Sequence, residues 1–144
     1  MSRSVTILLS SFLLVFLACS DGGDPVSPGD GNDGGDTTAV AFAGDVLPIL
    51  TSSCAFVGCH ASETHSGNLV LDGANAYANL VGVASFNYPP GVRVTAGDPD
   101  ASVLYQKLLG NPSFDARMPL GGAPLAGADL AKIREWIEEG AKND

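Results

Sequence analysis

Two thiols and an imidazole stand together in Cys54-Ala55-Phe56-Val57-Gly58-Cys59-His60. Two soft sulfurs followed directly by a histidine suit covalent attachment of haem. Each sulfur adds to a vinyl group, and the adjacent His60 reaches the iron as proximal ligand. The common attachment spacing has two residues between the cysteines. Here there are four, so the intervening loop must bulge outward. Two other chemistries draw on the same residues. In an oxidising compartment Cys54 and Cys59 can close a structural disulfide, with His60 incidental. A zinc site built from Cys54, Cys59, His60 and His65 is the third. Adjacent Cys59 and His60 are awkward joint ligands, however, and there is no second cysteine pair. His65 reads more simply as an exposed loop residue.

A second locus is Arg117-Met118-Pro119, 58 residues after His60. Apart from the initiator, Met118 is the only methionine, and it lies in a Gly/Pro-rich stretch rather than on a helix face. A thioether in a loop, fixed by the following proline and placed before a C-terminal helix, suits the sixth position on a haem iron. Arg93 and Arg117 are candidates to pair with haem propionates. Phe56, Tyr77, Tyr88, Tyr105, Phe114 and Trp136 are candidates to pack on a porphyrin, though each reads first as general core.

The elements that must carry these residues read as short helices. Asp45 predicts an N-cap for a helix through Val46, Leu47, Pro48, Ile49 and Leu50 up to Cys54, with the proline in the tolerant first turn. A short helix is expected over 74–81, burying Tyr77 and Leu80. In Gly97-Asp98-Pro99-Asp100, Asp98 predicts an N-cap and Pro99 a first helical residue. Asp98 and Asp100 are thereby helix-start residues and not catalytic acids. Leu104 and Leu108 then share a face, and Gly110 ends the helix. The clearest helix runs from Asp129 to Glu139, with Leu130, Ile133 and Ile137 at i, i+3 and i+7, Trp136 beside them, and Gly140 as the stop. Leu69-Val70-Leu71 has strand-forming residues but is too short to assign. Two long Gly/Pro-containing loops, 85–96 and 111–127, complete the expectation. Loops of that length in a small domain line a site or are disordered.

The N-terminus reads as an export and anchoring signal. Arg3 precedes an apolar run from Val5 to Ala18, too short for a comfortable membrane span and of the length of a signal-peptide core. Leu17-Ala18-Cys19 follows. It resembles the lipobox of bacterial lipoproteins, which implies a signal over 1–18 and lipidation of Cys19 as the first mature residue. Ser20 after that cysteine implies sorting to the outer membrane, facing the periplasm or the cell surface. Residues 19–39 carry Asp21, Asp24, Asp30, Asp33 and Asp36 among glycines, with no base and no large apolar side chain but Val26. Such a segment cannot bury enough surface to offset its ordering entropy, so a disordered acidic tether is expected. The folded domain is then 40–144.

That domain, from Phe42 to Ala141, resembles small monohaem cytochrome c domains of the planctomycete type. The likeness rests on Val46-Leu47-Pro48-Ile49-Leu50 before the cysteines and on Gly97-Asp98-Pro99-Asp100-Ala101-Ser102 before an apolar helix. It is completed by Arg117-Met118-Pro119 and by the closing Leu130 to Gly140 helix. The resemblance implies an all-α, class I cytochrome c fold in which the first and last helices cross and haem c, one per chain, sits in the cleft. Matched residue by residue, Cys54 and Cys59 would be the attachment sites, His60 the proximal ligand and Met118 the distal one. The departure is the two extra residues between the cysteines.

Length and charge bound the remaining choices. With 144 residues, and about 105 of them left to fold, the chain is too short for a (β/α)8 barrel or a full dinucleotide-binding enzyme. Sixteen acids face seven bases, a formal net charge of −9, so nucleic acid is excluded as a partner. A core of that size with 7% aromatic residues is marginal unless a staple or a buried cofactor fills it. Two function classes follow. One is an electron carrier, not an enzyme, held at a membrane by its lipid and serving a redox partner protein; an iron with both His and Met bound has no open site for catalysis. The other is a non-haem surface lipoprotein, a binding or interaction module stapled by Cys54–Cys59.

Overall fold

The computed structural model describes residues 39–144. Among these the chain is all-α, with no named strand. The expected signal, the tether and Cys19 lie outside the described residues, save Ala39 at the tether's end. No helix among the described residues is long and apolar enough to cross a membrane.

A π-helical turn, Phe42–Val46, runs into helix α1, Leu47–Ser53, with Pro48 in its first turn. Helicity therefore begins three residues before Asp45, which is not the N-cap. Asp45 instead reaches back to accept the Ala41 N–H at 3.1 Å and pairs with Lys132 at 3.0 Å. The early start is possible because distant groups satisfy the free N–H donors that a helix start leaves open. Glu139 Oε2 accepts from Val40 N–H (2.9 Å), Asp144 Oδ1 from Phe42 N–H (2.8 Å), and the Asp144 carbonyl from Ala43 N–H (2.8 Å).

Helix α2, Ala76–Leu80, follows a 3-10 turn, Gly73–Asn75, and buries Ala76 and Leu80. Tyr77 is half-buried and donates its hydroxyl to the Ala141 carbonyl at 2.9 Å. Helix α3, Val103–Leu109, begins later than expected. Asp98 caps a turn and not a helix, its Oδ1 accepting from Ala101 N–H at 2.9 Å. Ser102 then donates to the Asp98 carbonyl (2.7 Å) and accepts from Thr95 N–H (2.9 Å), holding this turn as a unit ahead of α3. Gly110, in the left-handed region at φ 77°, ends α3 as its type suggested. Helix α4, Gly127–Glu138, starts two residues before Asp129 and presents Ile133, Trp136 and Ile137 to the core.

Leu69-Val70-Leu71 forms no strand. The expected loop at 85–96 is pinned by isolated bridges instead, Val81 with Val94, Ala84 with Val92 and Val92 with Ser102. The loop at 111–127 contains one 3-10 turn, Pro112–Phe114. The core gathers where the opening turn meets α4. Phe42 packs against Trp136 (ring centroids 5.1 Å apart) and Tyr77 (5.2 Å), with Val46, Leu50, Leu80, Ile133 and Ile137 fully buried around them. Trp136, Tyr77 and Tyr105 are thus general core.

Candidate functional site

Cys54, Cys59, His60 and Met118 line one cavity of about 430 Å³ that opens to the surface. This is the size range of small-molecule and cofactor sites. Its walls are mainly apolar, drawn from Leu69 and Leu71, from Leu80 of α2, and from Val103, Leu104 and Leu108 of α3. Phe56 and Tyr88 line it too. Tyr77, Tyr105, Phe114 and Trp136 do not.

The Cys54–His60 loop leaves the end of α1 and closes on itself. Cys54 N–H still donates to Leu50 in helical fashion (2.9 Å), while the Cys54 carbonyl accepts from His60 N–H (3.2 Å). That bond forms the neck of the loop. It brings Cys54 back to the Cys59-His60 pair and pushes the extra residues out. Phe56, Val57 and Gly58 are all exposed. Cys59 N–H donates to Phe56 (2.9 Å), and Gly58 takes φ 91°, a conformation that a side chain would strain. Thr64 ties the loop from outside, its Oγ1 accepting from Gly58 N–H (3.1 Å) and lying 3.3 Å from the Cys59 carbonyl. The outward bulge read from the spacing is therefore present.

Both thiols are free. Cys54 is buried, and desolvation first, then the neighbouring Cys59 charge, push its thiol up to about 11. It is a neutral thiol at ordinary pH. Cys59 is exposed at the cavity edge. His60 is half-buried, with Nδ1 lying 3.3 Å from the Leu69 carbonyl. In the neutral ring Nδ1–H donates there, which leaves the Nε2 lone pair for a ligand. Burial holds the imidazole below its ordinary 6.5, and the positive charges of Arg93 and Lys107 act in the same direction.

A pH prediction follows for the chain without any cofactor. Unfolded His60 binds a proton more readily than folded His60, so stability should fall as pH drops from above 6.5 through the folded value. His60→Gln should flatten that part of the profile of urea midpoint against pH. The lowered Asp45 and Asp72 carboxyls act only lower, below 3.8. An unchanged slope in His60→Gln would remove His60 as the titrating group.

Met118 is half-buried, and its N–H donates to the Lys107 carbonyl at 3.0 Å. Helix α3 therefore sets its position. Arg117 does not line the cavity. It is exposed and lies along Gly110, where a Cβ would come within 3.0 Å of Arg117 Cδ. Its aliphatic stem packs on Gly110 beside Met118. Arg93 does line the cavity and is 7% exposed. Its guanidinium donates only to carbonyls, those of Asn79 (2.8 Å), Asn68 (2.7 Å) and Gly67 (3.2 Å). Burial lowers its pKa, yet a guanidinium stays charged.

Sequence reasoning missed Lys107. It lines the same cavity, donates to the Phe114 carbonyl (2.8 Å) and the Tyr88 hydroxyl (3.1 Å), and sits 5.3 Å from the Tyr88 ring centre. Among the described residues the ion pairs are Lys132–Asp45 and Arg134–Glu138. Arg93 and Lys107 stand outside those pairs, and Lys107 is linked to the Asp115 carboxylate through the Tyr88 hydroxyl, which donates to Asp115 Oδ2 at 2.8 Å. The zinc set does not assemble. His65 is exposed, turned to the Ser62 carbonyl at 3.2 Å, and no three His, Cys, Asp or Glu side chains come together among the described residues.

No protein-family model, curated protein or solved structure matches the chain.

Proposed function

We propose that this chain is an electron-transfer protein, a c-type cytochrome exported and lipid-anchored through Cys19, with a class I cytochrome c fold over 40–144. The supporting observation is the convergence of Cys54, Cys59, His60 and Met118 on one apolar cavity, although Met118 is 58 residues from His60 in sequence. A disulfide needs only the two cysteines and does not account for Met118 or for a cavity.

The residues present fit a haem c. Cys54 and Cys59 would hold it covalently. His60 offers its imidazole with Nδ1 fixed by Leu69, and Met118 offers a neutral thioether. Arg93 and Lys107 supply positive charge for an occupant bearing carboxylates, and neither makes a direct ion pair within the described residues. When bound, haem supplies one-electron exchange between ferrous and ferric iron. The chain's own residues exclude water through Leu69, Leu71, Leu80 and Leu108 and hold the ligand atoms in place through α1 and α3. The resemblance to planctomycete-type cytochrome c domains points the same way.

The test is a denaturing gel of the exported protein stained for haem peroxidase activity. A band that stains after boiling is expected, because thioether bonds survive denaturation. A colourless band from cells proven to mature c-type cytochromes would overturn the reading. Cys54→Ala/Cys59→Ala should abolish the stain.

A further inference from the structure

Arg93 is 7% exposed and makes no ion pair among the described residues. Burying a guanidinium is costly unless its N–H groups are met. Here backbone meets them. Both terminal nitrogens are engaged, Nη1 by the Asn79 carbonyl (2.8 Å) and Nη2 by those of Asn68 (2.7 Å) and Gly67 (3.2 Å).

The segment that Nη2 grips is one the chain does not adopt unaided. His65, Gly67 and Asn68 take positive φ, at 30°, 66° and 53°. Left-handed backbone is uncommon outside glycine and is kept where neighbours enforce it. The same segment wraps the imidazole. Ser66 N–H donates to the Cys59 carbonyl (2.9 Å), and Leu71 N–H donates to the His60 carbonyl (2.8 Å). His60 Nδ1 lies 3.3 Å from the Leu69 carbonyl, one residue past the gripped pair. Burial is the largest influence on that ring, and the Leu69 and Ser66 carbonyls oppose it. Both ends of the turn therefore act on His60.

The backbone of Arg93 runs to the other side of the cavity. Its N–H donates to the Val83 carbonyl (2.8 Å), and its carbonyl accepts from Leu104 N–H at 2.9 Å. Leu104 is the second residue of α3, and Lys107 of the same helix accepts from Met118 N–H. One residue thus bonds to the segment that holds His60 and to the helix that holds Met118.

The geometry points to Arg93 as a positioning residue that fixes the His60 imidazole, by clamping the carbonyls of Gly67 and Asn68 and, through that turn, the carbonyl of Leu69. The clamp stands on these hydrogen bonds alone; its effect on a redox potential rests on the electron-carrier reading. Lysine cannot replace it. An ammonium presents three donors from one point, whereas the planar fork reaches carbonyls of two segments, the 67–68 turn and Asn79 of α2.

The test compares the exported wild type with Arg93→Lys, which keeps the charge, and with Trp136→Phe, a core change that touches none of these bonds. Where the protein carries haem, the His60 Nδ1–H proton is followed in the reduced, diamagnetic form. Its exchange with deuterium should be about tenfold or more faster in Arg93→Lys and unchanged in Trp136→Phe. The potential should rise in Arg93→Lys, because an imidazole whose Nδ1–H loses its acceptor is a weaker donor to ferric iron. Trp136→Phe should leave it in place. If the wild type carries no haem, the electron-carrier reading fails and the clamp is still read, from the ring nitrogen shifts of His60. These should move in Arg93→Lys and not in Trp136→Phe. Gly67→Ala strains the turn from its other side, at positive φ and with a Cβ 3.2 Å from Asn87 Nδ2. It should move the His60 ring and Arg93 guanidinium signals together, and it carries the test if Arg93→Lys does not fold. Unchanged His60 signals in Arg93→Lys would overturn the proposal. So would equal changes in Trp136→Phe, or His60 moving without Arg93 in Gly67→Ala.

Discussion

On the proposed haem reading, Met118→Ala should yield a protein that still carries covalent haem but has lost its sulfur ligand. The ferric spectrum is expected to become high-spin or water-bound, and the ferrous form should gain affinity for carbon monoxide. The weak near-infrared charge-transfer band of a thioether bound to ferric iron should vanish. Thioether sulfur is soft and neutral and favours ferrous iron, so a His/Met pair has a higher potential than two nitrogens. Met118→His should therefore keep six ligands yet lower the potential by about a few tenths of a volt, within the roughly 0.8 V that axial ligands span. Met118 also packs against the core, so alanine removes volume as well as sulfur. Met118→Leu separates the two. It conserves volume, for which a swap costs less than about 1.5 kcal/mol, and lacks a lone pair to offer. Loss of the band in both Ala and Leu variants, with near-native urea midpoints in Leu, assigns the sulfur. A band absent from wild type, or surviving in Met118→Ala, would remove Met118 from the ligand set.

The cysteine–histidine cluster at the cavity was legible because its spacing is local. Cys54, Cys59 and His60 lie within seven positions, and the outward bulge follows from counting the residues between the thiols. Met118 was legible by type, a lone thioether in a loop. Lys107 was not. A single lysine on a short helix reads as solvated, and only the folding of α3 against the Tyr88 loop turns it to the cavity. Arg117 and Met118 part company in the fold: Met118 reaches the cavity, while the Arg117 side chain lies on Gly110.

The helices divide in the same way. Helix α4 was legible from Leu130, Ile133 and Ile137, because one long face buries against the core and the period survives. The opening turn ahead of α1 was not. The N–H groups of Val40, Phe42 and Ala43 are satisfied by Glu139 and Asp144, about 100 residues away, and no local window contains them. Asp98-Pro99 looked like a helix start because an aspartate caps a turn with the same geometry it uses for a helix. Ser102 decided between the two, by bonding both Asp98 and Thr95 ahead of Val103.

Trp136→Ala should destabilise the domain by about 3–5 kcal/mol, a large share of the roughly 5–15 kcal/mol that holds a domain of this size. Trp136 has no exposed surface and packs against Phe42, with Tyr77 6.5 Å away. Its Nε1–H donates to the Lys142 carbonyl at 2.9 Å, drawing the chain after α4 back over the core. Alanine leaves a cavity and an unsatisfied acceptor together. Trp136→Phe restores most of the ring volume and leaves chiefly the missing donor, so its cost should be smaller, about 1–3 kcal/mol. Urea unfolding followed by far-ultraviolet circular dichroism measures both, since the chain's single tryptophan is removed in each variant. Because Trp136 does not line the cavity, folded Trp136→Ala should keep the wild-type haem spectrum, the reverse of Met118→Leu, which should change the spectrum and keep the stability. A loss below about 1 kcal/mol in Trp136→Ala would mean that the packing of the opening turn on α4 does not hold the fold together.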